Sequence, residues 1–537
     1  MSKPNLEHVT TLVIIIIATV FSVFYLGHYY GRVDQGFLIA YAKKLSNPNL
    51  FPNDLLMNTM ANTVPSYLWE AVAKIYPHIN LELLLTSLHF IFRFLFFLGI
   101  YLLTLLVTGR KEVAYLNVFF WFTSKPSLGH EIFYNNFVQS SFTYPLLIFS
   151  SYFFLKNNYL FSFISVILAF LAHPPLTFLL VIIFFFILAR EKKFNLLVKY
   201  ALSFAVCVLP LYGRIQTVVS QSGAYDAAWL KLMRIRSAGH ILPSAWGMSS
   251  WLPALLALLF LVIFFRYYLE SIPNDILRKF KFFIFVPLVF IIISIIFGGI
   301  IPIPRVLAIT PFRTSNLFSI FASIVTSLCL WRMLQNKNYA IALLGAVVSF
   351  FYFFNQYSLQ FPKLFVVTLP LYITFFHFLH NNLKLLFVLL LSFTTILIPY
   401  MYKRNQLRTD IEYKKWVDIQ LWAKNNTPND SLFIVPPYLE SFRLYSERPI
   451  LADWKDGGAG FFSPNFLKIW WGRMEELGIS RQNYSDTYQR QAYNSLTPAK
   501  AAELLKKYNA KYIIFEKQPQ HDLMKKYEND YFTVYSL

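Results

Sequence analysis

Val9-Thr10-Thr11-Leu12-Val13-Ile14-Ile15-Ile16-Ile17-Ala18 opens an apolar run that continues to Leu26, and Tyr30-Gly31-Arg32-Val33-Asp34-Gln35 follows it almost at once. As a helix, the run from Val9 to Leu26 is long enough to cross the roughly 30 Å of hydrocarbon in a bilayer. An acid directly behind such a span lies at a membrane surface, within reach of lipid-borne substrates. A second acid comes soon after, in Phe51-Pro52-Asn53-Asp54. The first run has a weak basic start, no small-residue cleavage site and many apolar runs behind it. It therefore reads as a retained transmembrane helix rather than a secretory signal.

Composition supports the same class. Hydrophobic residues make up 56% of the chain, aromatic residues 19% and charged residues 14%, far from a soluble globular mix. The formal charge of +21 raises the question of nucleic acid. However, the basic residues of the apolar region flank its spans, as lipid-contacting anchors do, and no nucleic-acid-binding signature is present. Cys207 and Cys329 both fall in expected spans, which excludes a disulfide framework and a thiolate metal site.

The expected fold is an α-helical polytopic membrane protein of about 13 transmembrane helices with a small C-terminal extracytoplasmic α/β domain. The spans run near 9–27, 81–107, 113–123, 138–155, 159–173, 175–189, 198–212, 251–265, 282–297, 317–331, 339–355, 364–379 and 384–400. One alternate set of short loops holds fifteen Lys and Arg residues, among them Arg110, Lys111, Lys192, Lys193, Arg278 and Lys279; the other, much longer loops hold twelve. This asymmetry puts the N-terminus in the cytoplasm and the Asp34 loop outside. Residues 1–401 form the membrane domain, with a first outer loop at 28–80, and 402–537 form the outer domain. In that tail, Glu412 to Lys424 reads as an amphipathic helix, and 431–435, 449–452, 511–515 and 530–537 read as strands, with a helix at 498–508.

Candidate site residues cluster outside the spans. Asp34 is the leading one, either as a reactive carboxylate or as the cap of a helix starting near Gln35. Asp54 has the same two readings for a helix near Leu55. Gly36 to Leu45 and Leu55 to Ile75 are expected to be helices lying along the interface behind these acids. Arg305 in Pro302-Ile303-Pro304-Arg305 and Arg313 in Pro311-Phe312-Arg313-Thr314 suit bidentate pairing with a lipid phosphate. His130-Glu131 supplies a hydrogen-bonding or metal-ligating pair, and His173 sits at an outer span end before Pro174-Pro175. Arg93 lies inside the second span, where a charge requires a partner. Loop 213–250 is basic, with Arg214, Lys231, Arg234, Arg236 and His240.

The arrangement resembles the GT-C class of membrane glycosyltransferases. More narrowly, it is similar to a bacterial multi-pass family within that class. The resemblance rests on Val33-Asp34-Gln35, on Leu50-Phe51-Pro52-Asn53-Asp54 and on Pro311-Phe312-Arg313. In the tail it rests on Asn426-Thr427-Pro428, Pro436-Pro437, Glu440-Ser441-Phe442-Arg443, Arg448-Pro449-Ile450 and Asp453-Trp454-Lys455. It implies sugar transfer from a polyprenyl-phosphate donor to a glycan, lipid or protein acceptor in the bacterial cell envelope. Asp34 would be the base, and Arg313 or Arg305 would bind the leaving phosphate. The turn Asp453-Trp454-Lys455-Asp456-Gly457-Gly458, with Glu440 and Arg443, has two readings: a surface that faces the membrane site and binds the acceptor, or a buried salt-linked turn that holds the tail domain together. Many members of the class carry paired acids in the first loop and bind a divalent metal there. Here the neighbour is Gln35, which puts a metal in question. Trp470-Trp471-Gly472 is similar to a motif of oligosaccharyltransferase catalytic subunits, but no Asp follows, and that function is not carried over. Two other classes stay open: a transporter or flippase for lipid-linked saccharides, and a non-catalytic scaffold.

Overall fold

The computed structural model describes residues 6–64, 66–121, 126–129, 132, 134–268, 271–353, 407–517 and 523–537. The described residues are mostly helical, with one small sheet among them, near the C-terminal end. Among the described residues, five helical segments are long and apolar enough to cross a membrane: Glu7–Phe24, Leu81–Thr108, Phe194–Ser220, Asn274–Ile300 and Pro304–Gln335. Tyr159–Ala172, Pro174–Arg190, Met248–Phe264 and Tyr339–Ser349 are shorter apolar helices. These findings make it a membrane protein. Of the expected spans, 364–379 and 384–400 lie outside the described residues. The span expected at 113–123 is the ten-residue helix Lys111–Phe120, too short to cross.

Two compact units emerge. Met1–His28, Thr86–Cys207 and Gly239–Tyr402 form the first; Tyr29–Leu85, Val208–Ala238 and Lys403–Leu537 form the second.

In the first unit, helix Thr314–Gln335 is buried along nearly its whole length. Its sequence explains how other helices reach it: Ser315, Ser319, Ser323 and Ser327 are small enough for close approach, and the hydroxyls of the first three find partners. Ser319 Oγ lies 2.7 Å from the Tyr352 hydroxyl, and Trp121 Nε1 donates to Ser323 Oγ at 3.0 Å. Phe154 stacks on Phe184 with ring centres 4.1 Å apart, and Phe283 meets Phe321 at 4.7 Å. Outward, Leu202, Val206, Val262, Phe285 and Val289 are all more than half exposed, the composition of a lipid-facing surface. The long stretch 159–189 divides at His173, where Pro174 and Pro175 start a new helix, as proline at a first helical position does. Arg93 has found partners inside its span: it donates to Ser22 Oγ at 2.7 Å and to the Tyr134 carbonyl at 2.8 Å.

The second unit has a four-stranded sheet, β1 (Phe433–Ile434), β2 (Tyr512–Glu516), β3 (Met524–Glu528) and β4 (Phe532–Ser536), in the order β1-β2-β4-β3. β1 runs parallel to β2, and the other pairings are antiparallel. The stretch expected as a strand at 449–452 makes a single parallel bridge, Ile450 to Phe433. Helix Leu407–Asn426 lays Trp416, Ile419 and Ala423 on Phe433, Phe442, Ile514 and Val534 to form the core. Helix Asp34–Ser46 belongs to this unit and buries Leu38, Ile39, Ala40, Tyr41 and Ala42. Five consecutive buried residues cover every side of a helix, so it is a packed interior element rather than the surface-lying amphipathic one expected. The stretch from Leu55 to Ile75 forms two helices, Leu55–Thr63 and Leu68–Ile75.

Candidate functional site

Gly31 begins the local geometry of the second unit's candidate site. Its φ of +75° places it in the left-handed region, and a β-carbon there would lie 2.1 Å from the Leu444 side chain. Its N–H donates to Gln35 Oε1 at 2.6 Å, and its carbonyl accepts from Ser441 Oγ at 2.5 Å. Val33 then takes φ +55° and ψ −135°, which a β-branched residue adopts only under strain. The Val33 N–H donates to Glu440 Oε1 at 2.6 Å. This turn delivers Asp34 as the first residue of helix Asp34–Ser46. The helix N-cap is Val33, with no side-chain capping bond, so Asp34 is not the cap.

The Asp34 side chain is 44% exposed and its Oδ1 lies 3.6 Å from Lys455 Nζ, which is also 3.9 Å from Glu440 Oε2. Lys455 is held by its backbone. Arg236 donates through Nε to the Trp454 carbonyl at 2.7 Å and through Nη2 to the Lys455 carbonyl at 3.2 Å. Burial holds the Arg236 guanidinium below its ordinary range, opposed by the charges of Asp34, Asp453, Asp456 and Glu440. The second unit thus gathers one further carboxylate, Glu440, and two cations, Lys455 and Arg236, in the neighbourhood of Asp34. Gln35 is buried, its amide oxygen engaged by Gly31.

Asp54, Arg443 and Asp453 stand elsewhere, in the interior. Asp54 is the N-cap of helix Leu55–Thr63, accepting from the Met57 N–H at 3.1 Å and from the Ile450 N–H at 3.0 Å. Arg443 donates to it at 2.6 Å and 3.1 Å, and to Asp456 at 2.8 Å and 2.9 Å. Asp453 lies 3.8 Å from the same guanidinium, and its Oδ1 accepts from the Asp456 N–H at 3.0 Å. Burial pulls Arg443 down, but Asp456, Asp54 and Asp453 together drive it well above the ordinary guanidinium range. Burial and the neighbouring Asp456 push the Asp453 carboxyl well above the usual carboxylate range, against the pull of Arg443. All four groups are at most 4% exposed, so this network ties the interior together and Asp34 alone of the two loop acids reaches solvent. Gly457 follows it closely: a β-carbon there would meet the Trp470 ring at 2.6 Å.

The first unit carries its own cluster. Arg313 donates through Nη1 to His173 Nε2 at 3.2 Å and through Nη2 to His240 Nδ1 at 3.1 Å. A guanidinium only donates, so each imidazole accepts with a bare nitrogen: His173 carries its proton on Nδ1 and His240 on Nε2. Arg305 is exposed on helix Pro304–Ala308. His130 and Glu131 lie outside the described residues. Among the described residues, no group of three or more His, Cys, Asp or Glu is placed to hold a metal ion.

The pairings of Arg236 with the Asp453-Trp454-Lys455 turn and of His240 with Arg313 are not expected from sequence. Their one signal is a basic stretch, which reads equally as a solvated face. Arg214 in the same stretch pairs with Glu70 and donates to the Val64 and Ser66 carbonyls.

Residues 414–477 match the family described as Domain of unknown function (DUF6798), and that stretch holds Glu440, Arg443, Asp453 and Lys455. No curated protein matches the chain by sequence. Solved structures similar to it include oligosaccharyltransferases of Archaeoglobus fulgidus. One, in complex with Zn and sulfate, is 12% identical with a TM-score of 0.48, covering 94% of this chain and 68% of the other. Another, AglB in complex with an inhibitory peptide and a dolichol-phosphate, is 13% identical with a TM-score of 0.42, covering 96% and 70%.

Proposed function

We propose that the chain is a membrane glycosyltransferase of the GT-C type, moving a sugar from a polyprenyl-phosphate donor to an envelope glycan, lipid or protein acceptor. The observation that carries this reading is the half-exposed carboxylate of Asp34, fixed at a helix start beside Lys455, whose turn is held by Arg236, in a chain whose helices suit a bilayer. A sugar or side-chain hydroxyl is a poor nucleophile until its proton is removed, and a positioned carboxylate removes it as the new bond forms. Asp34 takes that proton while the acceptor oxygen bonds to the anomeric carbon. The bond from that carbon to the donor phosphate oxygen breaks, its electron pair leaves with the phosphate, and the anomeric configuration inverts.

Arg313, or Arg305, is assigned to a donor phosphate. The two imidazoles fix the plane of Arg313 without cancelling its charge, and a planar fork suits phosphate oxygens. The same reading places the protein in the bacterial cytoplasmic membrane, with the N-terminus inside and Asp34 outside, in line with the loop charge asymmetry.

The test is glycan mass profiling in a deletion strain complemented with wild type or with Asp34→Asn, with membrane expression of both verified. Wild type restores a missing glycan mass, and Asp34→Asn does not. Full restoration by Asp34→Asn would overturn the assignment of Asp34 as base.

A further inference from the structure

The GT-C resemblance carries the expectation of a divalent metal held by paired first-loop acids. The groups around Asp34 do not fit one. A hard divalent cation takes about six or more oxygen ligands at roughly 2.0–2.6 Å. Beside Asp34 stands Gln35, buried and with its amide oxygen already accepting from Gly31 at 2.6 Å. The second carboxylate of the neighbourhood is Glu440, one of whose oxygens accepts from Val33 at 2.6 Å. Near the remaining oxygens lies the ammonium of Lys455, 3.6 Å from Asp34 Oδ1 and 3.9 Å from Glu440 Oε2. A metal bound to both carboxylates would lie against a like charge at close range. Like charges about 4 Å apart repel at a protein surface strongly enough to weaken metal binding by roughly tenfold or more.

We infer that Lys455 is the resident cation of this site, a tethered positive charge standing between Asp34 and Glu440 where a divalent metal would otherwise be drawn. Its placement is built in. Lys455 opens the tight helical turn Lys455–Phe461, and the two carbonyls at the start of that turn are gripped by Arg236. Arg236 adds a second positive charge that acts on Asp34 and Glu440. Lys455 and Arg236 thus oppose the charges of Asp34 and Glu440 without any metal. The side chain of Lys455 is 26% exposed, so its ammonium is wet enough to swing aside as an acceptor arrives, yet it stays attached to the chain. Lys455 is thus a positioning residue. It orients the Asp34 carboxylate and gives the site an electrostatic balance that chelators do not disturb.

This inference rests on the reading of Asp34 as the base, but its test reads metal binding and not sugar transfer. The full-length protein in detergent or nanodiscs is titrated with Mn2+ and followed by the electron paramagnetic resonance of the free ion. Wild type shows no Mn2+ binding that depends on Asp34. Lys455→Met gains a Mn2+ site, with affinity raised roughly tenfold or more over wild type, and Lys455→Met with Asp34→Asn loses it. Lys455→Arg, which keeps the charge, behaves as wild type. Thermal unfolding of each variant verifies the fold. Mn2+ binding by wild type that Asp34→Asn abolishes overturns the inference, and so does a folded Lys455→Met that gains nothing. If the Mn2+ results hold and no glycan mass depends on Asp34, the proposed transferase activity fails while the charge arrangement stands.

Discussion

Arg443 grips Asp54 across 389 positions of sequence, with Nε 2.6 Å from Oδ2 and Nη2 3.1 Å from Oδ1. The same guanidinium is shared with Asp456, and every group involved is buried. The first-loop acid that sequence places beside Asp34 as a reactive candidate is therefore a structural anchor.

Removing one member of such a network strands buried charge, which costs about 3–5 kcal/mol. Arg443→Ala should therefore lose stability of that order in the second unit, and Arg443→Lys should recover only part of it, since an ammonium lacks the planar fork. Tryptophan fluorescence during denaturant unfolding measures this, with Trp416, Trp470 and Trp471 as buried reporters in that unit. An Arg443→Ala midpoint equal to that of wild type would refute the anchor role.

Asp453 gives a pH signature of defined sign. Its folded carboxyl lies well above the usual range, because of burial and Asp456, so the folded state binds the proton more tightly than the unfolded chain. The stability it contributes is complete below the unfolded value, near 3.9. It fades as pH rises through the raised folded value. Asp453→Asn keeps a neutral acceptor in place and should flatten that decline with little loss at low pH. Unfolding midpoints measured across pH for both proteins would reveal an unchanged slope if the idea is wrong.

Val33, at φ +55°, stores strain immediately before Asp34. Such a conformation costs on the order of 1–3 kcal/mol in a non-glycine residue. Glycine adopts it freely but loses more freedom on folding. Val33→Gly should raise stability by roughly 1 kcal/mol. A lowered thermal midpoint would show that the Val33 side chain contributes more by packing than its backbone costs.

Arg313→Lys keeps the charge and loses the fork that meets His173 and His240. Affinity for a short polyprenyl phosphate, measured by calorimetry, should weaken about tenfold, the scale of a lost charge-assisted hydrogen bond. Unaltered affinity would remove Arg313 from the phosphate-binding role.

Much of the tail is legible in its sequence. Trp416 and Ile419 recur at helical spacing, and the helix runs Leu407–Asn426. Ile513, Ile514 and Phe515 form a buried run, and β2 spans Tyr512–Glu516. β3 is not legible, because Met524, Lys525 and Lys526 are exposed on an edge strand and carry no apolar alternation. Helix Asp34–Ser46 reads as amphipathic because Phe37, Ala40, Tyr41 and Lys44 recur at helical spacing. In the fold, Gly36, Ala40 and Ala42 let neighbours close in on the other sides. Within the site, the exposed acid at a helix start is visible in the sequence, since local turn chemistry places it. The Lys455 contact is not, nor is the division between Asp34 in solvent and Asp54 in the interior. Both depend on side chains brought together from hundreds of positions away, and no local period encodes them.

The bond between Asp54 and Arg443 also sets an order of events during synthesis. A ribosome adding about 5–20 residues per second needs on the order of 20–80 s to cover the 389 positions that separate them. For that interval the nascent first loop has its acid but not its clamp, and Val33 has no Glu440 to meet. The turn before Asp34 therefore gains its Glu440 and Lys455 contacts only after most of the chain is made, and a chain interrupted before Glu440 lacks both.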